Sequence, residues 1–267
     1  MLNAEDALVA HAVARAADAM VSFIEASLPG FREGGRLIYV GAGTSGRLGV
    51  LDAAECPPTF QSEPGRVVGI IAGGDKALRI SSESLEDDPE GACAELESLG
   101  INERDTVLGI AAGGTTPYAI GAARIAGSMG TVSGLLTCSP IDKPEGVAHL
   151  IVVETGPEAL TGSTRMKAGT ATKMVLNTIS ITLMAQTGKV YENLMFDLRA
   201  TNDKLRDRAA RIVAELTHLD RDASFDALDK ANGSVKVAVV MLGKGCSRDE
   251  ATVRLDQTGG NLRGALG

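Results

Sequence analysis

Three short segments of the 267-residue chain set glycine beside hydroxyl side chains in the pattern of an anion site. The first, Gly41-Ala42-Gly43-Thr44-Ser45-Gly46-Arg47, directly follows the apolar run Leu37–Val40. Glycine lets the backbone approach an anion, and a helix opening there supplies free N–H groups and the positive end of its dipole. The spacing matches GxGxxG, the dinucleotide fingerprint. That reading also needs an acidic residue closing the second strand, about 20 residues on. Asp75 comes later than that and follows Gly73 and Gly74. Two hydroxyls at a helix start suit a compact phosphomonoester. Gly43, Thr44, Ser45 and Gly46 are therefore read as a sugar-phosphate loop, with a dinucleotide loop and a structural turn as alternatives. The second segment, Gly113-Gly114-Thr115-Thr116-Pro117, contributes Gly113, Thr115 and Thr116. The third, Thr161-Gly162-Ser163-Thr164-Arg165-Met166-Lys167, contributes Ser163, Thr164, Arg165 and Lys167. Each of these two also reads as an ordinary capped helix start.

General acid–base work needs two positioned proton-transfer groups. Glu55, before Cys56-Pro57-Pro58, and Glu86, after Gly73-Gly74, lie on stretches that open from neighbouring loops. Among 34 acidic residues, spacing alone does not single them out. The acidic stretch Glu83–Glu97 reads mostly as a solvated face. His11, His149 and His218 stand apart from one another and from any nucleophile motif, and read as structural or exposed. No GxSxG, HExxH or Walker loop is present. Cys56, Cys93, Cys138 and Cys246 are scattered without a CxxC pair, which argues against structural zinc or a disulfide framework and fits a reducing cytoplasm. No metal and no cofactor is expected.

The elements that must position these residues alternate. Leu37–Gly41, Val67–Ala72, Thr106–Ala111, Val132–Thr137 and Leu150–Val153 read as strands. Ser45–Glu55, Asp75–Glu86, Glu90–Leu99 and Tyr118–Met129 read as helices between them. Such alternation implies a doubly wound α/β fold with a parallel sheet covered on both faces. Ahead of it, Ala4–Ala26 reads as one amphipathic helix stopping near Pro29. After it, Thr164–Thr187 is apolar nearly all round, which predicts burial on every side in a core or a subunit interface. Residues 201–267 are charged and lack the alternation, and read as a small helical unit with segments at Asn202–Leu216, Phe225–Ala231, Val235–Met241 and Arg248–Asp256. The expected division is 1–200 and 201–267.

Composition excludes several classes. A net charge of −8 gives no basic footprint for duplex DNA, and 3% aromatics give no stacking platform for single strands, so no nucleic-acid partner is expected. No apolar run is long enough to span a membrane, and no secretory leader is evident at the start.

The stretch Arg36–Thr59, with Gly-Ala-Gly-Thr-Ser-Gly-Arg and Asp-Ala-Ala-Glu-Cys-Pro-Pro, resembles the signature of bacterial N-acetylmuramic acid 6-phosphate etherases. So do Glu158–Ala171, with Leu-Thr-Gly-Ser-Thr-Arg-Met-Lys, and Gly188–Asp197; Arg254–Gly260 is similar to the family's C-terminal motif. The resemblance implies a sugar-isomerase-type (SIS) fold, a homodimer and a small helical C-terminal unit. It implies removal of D-lactate from the 3-position of N-acetylmuramic acid 6-phosphate, leaving N-acetylglucosamine 6-phosphate. In the open-chain sugar the C2 proton is α to an aldehyde. A base removes it, the ether oxygen leaves with help from an acid, and water adds back. The resemblance assigns Glu55 as the acid by motif and suggests Glu86 as the base by spacing.

Two departures stand out. Family members usually begin roughly 25 to 30 residues earlier, at an end where a domain tolerates change. Their second cradle usually reads Ser-Gly-Arg-Thr-Pro-Tyr, against Gly113–Tyr118 here, which lacks a hydroxyl and a guanidinium. An aldose–ketose isomerase and a non-catalytic sugar-phosphate sensor stay open as alternatives.

Overall fold

Five apolar runs form the strands β1 (Leu37–Gly41), β2 (Val67–Ile71), β3 (Thr106–Ile110), β4 (Val132–Thr137) and β5 (His149–Val152). The structure, a computed structural model, describes residues 1–80, 85–196 and 203–267, with the backbone alone at Lys204. All strand pairs are parallel, in the order β2-β1-β3-β4-β5. Every residue of central β1 and β3 is buried, whereas edge strands β2 and β5 are half-covered. That is the burial expected of a sheet flanked by helices on both faces.

The helices of this part are α1 (Leu2–Asp6), α2 (Val9–Arg15), α3 (Ala17–Arg32), α4 (Gly43–Phe60), α5 (Cys93–Ser98), α6 (Pro117–Ser128) and α7 (Lys167–Gln186). Ile38, Val40 and Val107 face a layer containing Leu96 of α5 and Tyr118 and Ala122 of α6. The opposite face packs on α3 and α4. A Cβ at Gly134 would meet the Phe23 ring at 2.6 Å, one at Gly69 would meet Val50 Cα at 2.6 Å, and one at Gly49 would meet Tyr39 Cβ at 2.9 Å. The fold is the doubly wound α/β architecture that the alternation implied.

Several boundaries differ from the sequence reading. The expected single N-terminal helix is three, α1 to α3, and it does not stop at Pro29. A proline in the last turn forfeits little of the hydrogen-bond ladder, so α3 runs to Arg32. Helix α4 likewise runs through Pro57 and Pro58 rather than ending at Glu55. The described residues of Asp75–Glu86 form no α-helix: a 3₁₀ turn covers Gly74–Leu78 and Glu86 stands in a turn, while residues 81–84 lie outside the described residues. Helix α7 is not buried all round. Lys173, Thr178 and the apolar Ile181, at 48% exposure, are open in the single chain, so the chain's own core does not cover this helix on every side.

The chain divides into two compact units, Met1–Glu55 with Pro64–Thr182, and Cys56–Glu63 with Leu183–Gly267. The second holds α8 (Asp203–Thr217), α9 (Arg221–Lys230), α10 (Val235–Lys244), α11 (Arg248–Gln257) and α12 (Leu262–Leu266). The expected start of α8 at Asn202, the end of the Gly188–Asp197 motif and the expected boundary at 200/201 lie outside the described residues. Side-chain caps set the helix starts. Asp220 accepts from Ala223 N, Ser234 from Val237 N, Asn261 from Gly264 N, and Ser247 forms a capping box with Glu250. Val213, Leu228, Val240, Ala251 and Leu262 pack at the centre of this unit. None of the four cysteines forms a disulfide with another.

Candidate active site

The turn from β1 into α4 divides its glycines by task. A Cβ on Gly46 would stand 2.5 Å from Gly41 O and 2.6 Å from Ile71, so Gly46 lets the helix press against its own strand. Gly43 has φ +51° with open space where a Cβ would go, so it bends the chain and leaves its outer side clear. Thr44 and Ser45 follow, half-buried, in the first turn of α4. The Arg47 guanidinium donates to the carbonyls of Ala77 (2.7 Å) and Leu78 (3.2 Å), tying the 3₁₀ turn after β2 to α4.

The second segment opens from the neighbouring strand. β1 and β3 pair with Gly41 opposite Ile110. Their following helices go to opposite faces of the sheet, and such a divergence is where open α/β sheets hold ligands. Gly114 (φ +74°) is fixed by contact: a Cβ there would meet Ile141 at 2.7 Å and Thr137 Oγ1 at 2.9 Å. Gly113 and Thr115 are exposed, and Thr116 is the N-cap of α6 without a side-chain cap bond, so its hydroxyl is not spent on the helix. Glu86 is brought to this turn. Its carbonyl accepts from Tyr118 N at 3.0 Å. The segment behind it is pressed onto α6, with Pro89 O against Gly121 and the Tyr118 ring against Gly91. Tyr118 OH donates to Glu95 (3.2 Å), and burial first, then the Glu95 charge, pushes the phenol far above its usual range.

The third segment meets the first: a Cβ on Gly169 would lie 3.6 Å from the Thr44 methyl. Two N–H groups at the head of α7 are already used. Glu158 takes the amides of Lys167 and Ala168, both at 2.9 Å, so the head of α7 is capped by this chain's own carboxylate. Lys167 is 3% exposed, and its ammonium lies 2.6 Å from Glu5. Thr164 and Arg165 remain exposed, and Ser163 is half-buried. Cys138, at the end of β4, lies against Ala168 O (3.5 Å), and burial pushes its thiol up to about 11.

Glu55 is elsewhere. Ten residues of continuous helix separate it from Ser45, which is about 15 Å of rise. It lines a cavity of about 350 Å³ with Leu48, Leu51, Asp52, Lys173, Leu176 and Asn177. Asp52 was not anticipated from the sequence. It accepts from Tyr39 OH (3.0 Å) and Ser180 Oγ (3.2 Å), yet burial still holds its carboxyl above the usual range. The available signal was polar residues interrupting an apolar pattern, at i, i+3 on α4 and i, i+4 on α7. Among the described residues no group of His, Cys, Asp and Glu is placed to hold a metal ion. No single described helix is long and apolar enough to cross a membrane.

Residues 19–127 match the family model for the glucokinase regulatory protein N-terminal SIS domain. Curated relatives match over nearly the whole chain. A protein of Halalkalibacterium halodurans named N-acetylmuramic acid 6-phosphate etherase is 50% identical, covering 99% of this chain and 89% of its own. A protein of the same name from Mycolicibacterium smegmatis is 48% identical, covering 100% and 90%. One from Pectobacterium atrosepticum is 49% identical, covering 100% and 88%.

Proposed function

The chain belongs to the N-acetylmuramic acid 6-phosphate etherase family, and on that premise we propose that it is a carbon–oxygen lyase cleaving the lactyl ether of N-acetylmuramic acid 6-phosphate. The observation that carries this is identity near 50% along essentially the full chain. The products are N-acetylglucosamine 6-phosphate and D-lactate, as in the recycling of cell-wall amino sugars. The phosphate is held by Thr44 and Ser45 with the open backbone at Gly43, in a turn that Gly46 shapes by packing on Gly41 and Ile71, by Gly113, Thr115 and Thr116 from the adjoining turn, and by Ser163, Thr164 and Arg165. Lys167, tied to Glu5, sets the position of that third loop.

Glu86, at the second turn, takes the C2 proton of the open-chain sugar. The C2–C3 double bond forms as the C3–O bond breaks, and Glu55 gives its proton to the departing lactyl oxygen. Water then adds its hydroxyl to C3 while C2 regains a proton. The rise along α4 keeps Glu55 from the ether of a sugar anchored at its own Ser45. We therefore read the enzyme as a homodimer in which each Glu55 serves the phosphate held by the other chain. Leu51 on α4, 45% exposed, and Ile181 on α7 supply apolar surface beside the cavity for that association. We place it in the cytoplasm, a reducing setting that suits four cysteines forming no disulfide with one another.

The test is lactate release from N-acetylmuramic acid 6-phosphate without added metal or nucleotide. Parent protein releases lactate, and Glu55→Gln binds the sugar phosphate but releases little. Lactate from Glu55→Gln at the parent rate removes Glu55 as the acid. A parent protein that is thermally stabilised by the sugar phosphate and yields no lactate is a sensor rather than an etherase.

A further inference from the structure

The cavity beside Glu55 has a chemical make-up beyond what proton transfer requires. Leu48 and Leu51 on α4 and Leu176 on α7 supply its apolar lining, and Lys173 and Asn177, one helical turn apart on α7, supply polar lining beside them. With its amide oriented so that both ends are satisfied, Asn177 donates to Asp52 Oδ1 (3.3 Å) and accepts from Lys173 Nζ (2.9 Å). Asp52 also takes Tyr39 OH on its other oxygen and Ser180 Oγ on the same one, so its acceptor needs are met without the lysine. Among the described residues, no carboxylate lies within ion-pair distance of Lys173. The ammonium keeps two donors, and the Asn177 amide keeps one, for something that enters the cavity.

The leaving group has matching parts: a methyl, a carboxylate and the ether oxygen. We propose that Lys173 and Asn177 form the subsite that recognises the lactyl carboxylate, with the methyl against Leu48, Leu51 and Leu176, and so select this ether over uncharged ones. The inference rests on the reading in which Glu55, in the same cavity, protonates the lactyl oxygen. Tyr39, on the buried sheet, and Ser180 anchor Asp52, which fixes the Asn177 amide, which in turn aims the lysine. An ammonium held in this way loses little freedom on meeting its ligand.

The experiment compares kcat/KM for N-acetylmuramic acid 6-phosphate with that for the analogue whose lactyl carboxylate is a carboxamide, in parent protein, Lys173→Met, Lys173→Arg and Asn177→Asp. The parent prefers the carboxylate. Lys173→Met lowers that preference about tenfold or more, mainly through KM, because a site built for a charged group loses its discrimination with the charge. Lys173→Arg restores part of it, and Asn177→Asp, which sets a negative charge in the subsite, lowers it as well. A general loss of packing lowers both rates together and leaves the ratio alone. An unchanged ratio in Lys173→Met and in Asn177→Asp overturns the subsite. If the parent releases neither lactate nor lactamide, the etherase reading itself fails and takes the subsite with it, an outcome visible before any variant is made.

Discussion

Asp105 stands just before β3, 1% exposed, and joins the start of that strand to the start of β1. Its Oδ1 accepts from Arg36 N (2.8 Å) and Nε (3.0 Å), and its Oδ2 from an Arg36 terminal nitrogen (2.6 Å), Asn102 N (3.0 Å) and Asn102 Nδ2 (3.1 Å). Burial alone would raise this carboxyl, but the Arg36 and Asn102 donors outweigh it and hold it below the usual range. Its folded pKa is thus lower than its unfolded one. The stabilisation is fully present above the ordinary aspartate pKa near 3.9 and is lost as pH falls through the depressed folded value. Asp105→Asn keeps one acceptor oxygen but removes the charge and the second acceptor, which now meets an Arg36 terminal nitrogen and both Asn102 donors, and should cost about 2–3 kcal/mol at neutral pH. Urea unfolding at pH 7 and pH 3 checks both statements, and the gap between parent and variant should narrow at the lower pH.

In the proposed site, helix starts carry the phosphate chemistry, and their glycines make separable predictions. Gly46→Ala drives a Cβ into Gly41 O, which is backbone and cannot turn aside. It should destabilise by about 1–3 kcal/mol and raise KM for the sugar phosphate, because the turn itself must shift. Gly43→Ala meets no protein atom and pays the left-handed penalty, about 1–2 kcal/mol, but its methyl stands on the open side proposed for the phosphate, so it should raise KM by more than its loss of stability accounts for. Melting temperatures and saturation curves for the two variants separate these cases.

The same elements explain what the sequence could tell. Strands β1 and β3 were legible because buried parallel strands are continuous apolar runs, and Gly41–Gly46 was legible because its glycines must follow such a run directly. Glu158 capping α7, Glu5 holding Lys167 and Asp52 meeting Asn177 join residues far apart in the chain, and no local spacing encodes them. Helix α7 reads as apolar all round because the count of its apolar residues includes Ile181, which the single chain leaves exposed.

At the scale of the whole molecule, the question is how Glu55 meets a sugar anchored about 15 Å up its own helix. In the proposed homodimer a second copy related by a two-fold axis would answer it, through an isologous contact on α4 and α7 that brings each chain's cavity to the other's loops. The prediction is made with two inactive variants. Ser45→Glu repels the phosphate but keeps Glu55, while Glu55→Gln keeps the phosphate loop but lacks the acid. Each homodimer is inactive. When the two are unfolded, mixed in equal amounts and refolded, half the dimers are mixed, and each mixed dimer holds one whole site. Lactate release should recover to roughly a quarter of the parent rate. If Glu55 instead serves its own chain, no mixed dimer contains a complete site and nothing returns. Ile181→Glu supplies the matching control at the interface. It should yield a monomeric mass by light scattering with the sheet intact by circular dichroism, and should abolish lactate release although the substitution touches neither the phosphate loops nor Glu55.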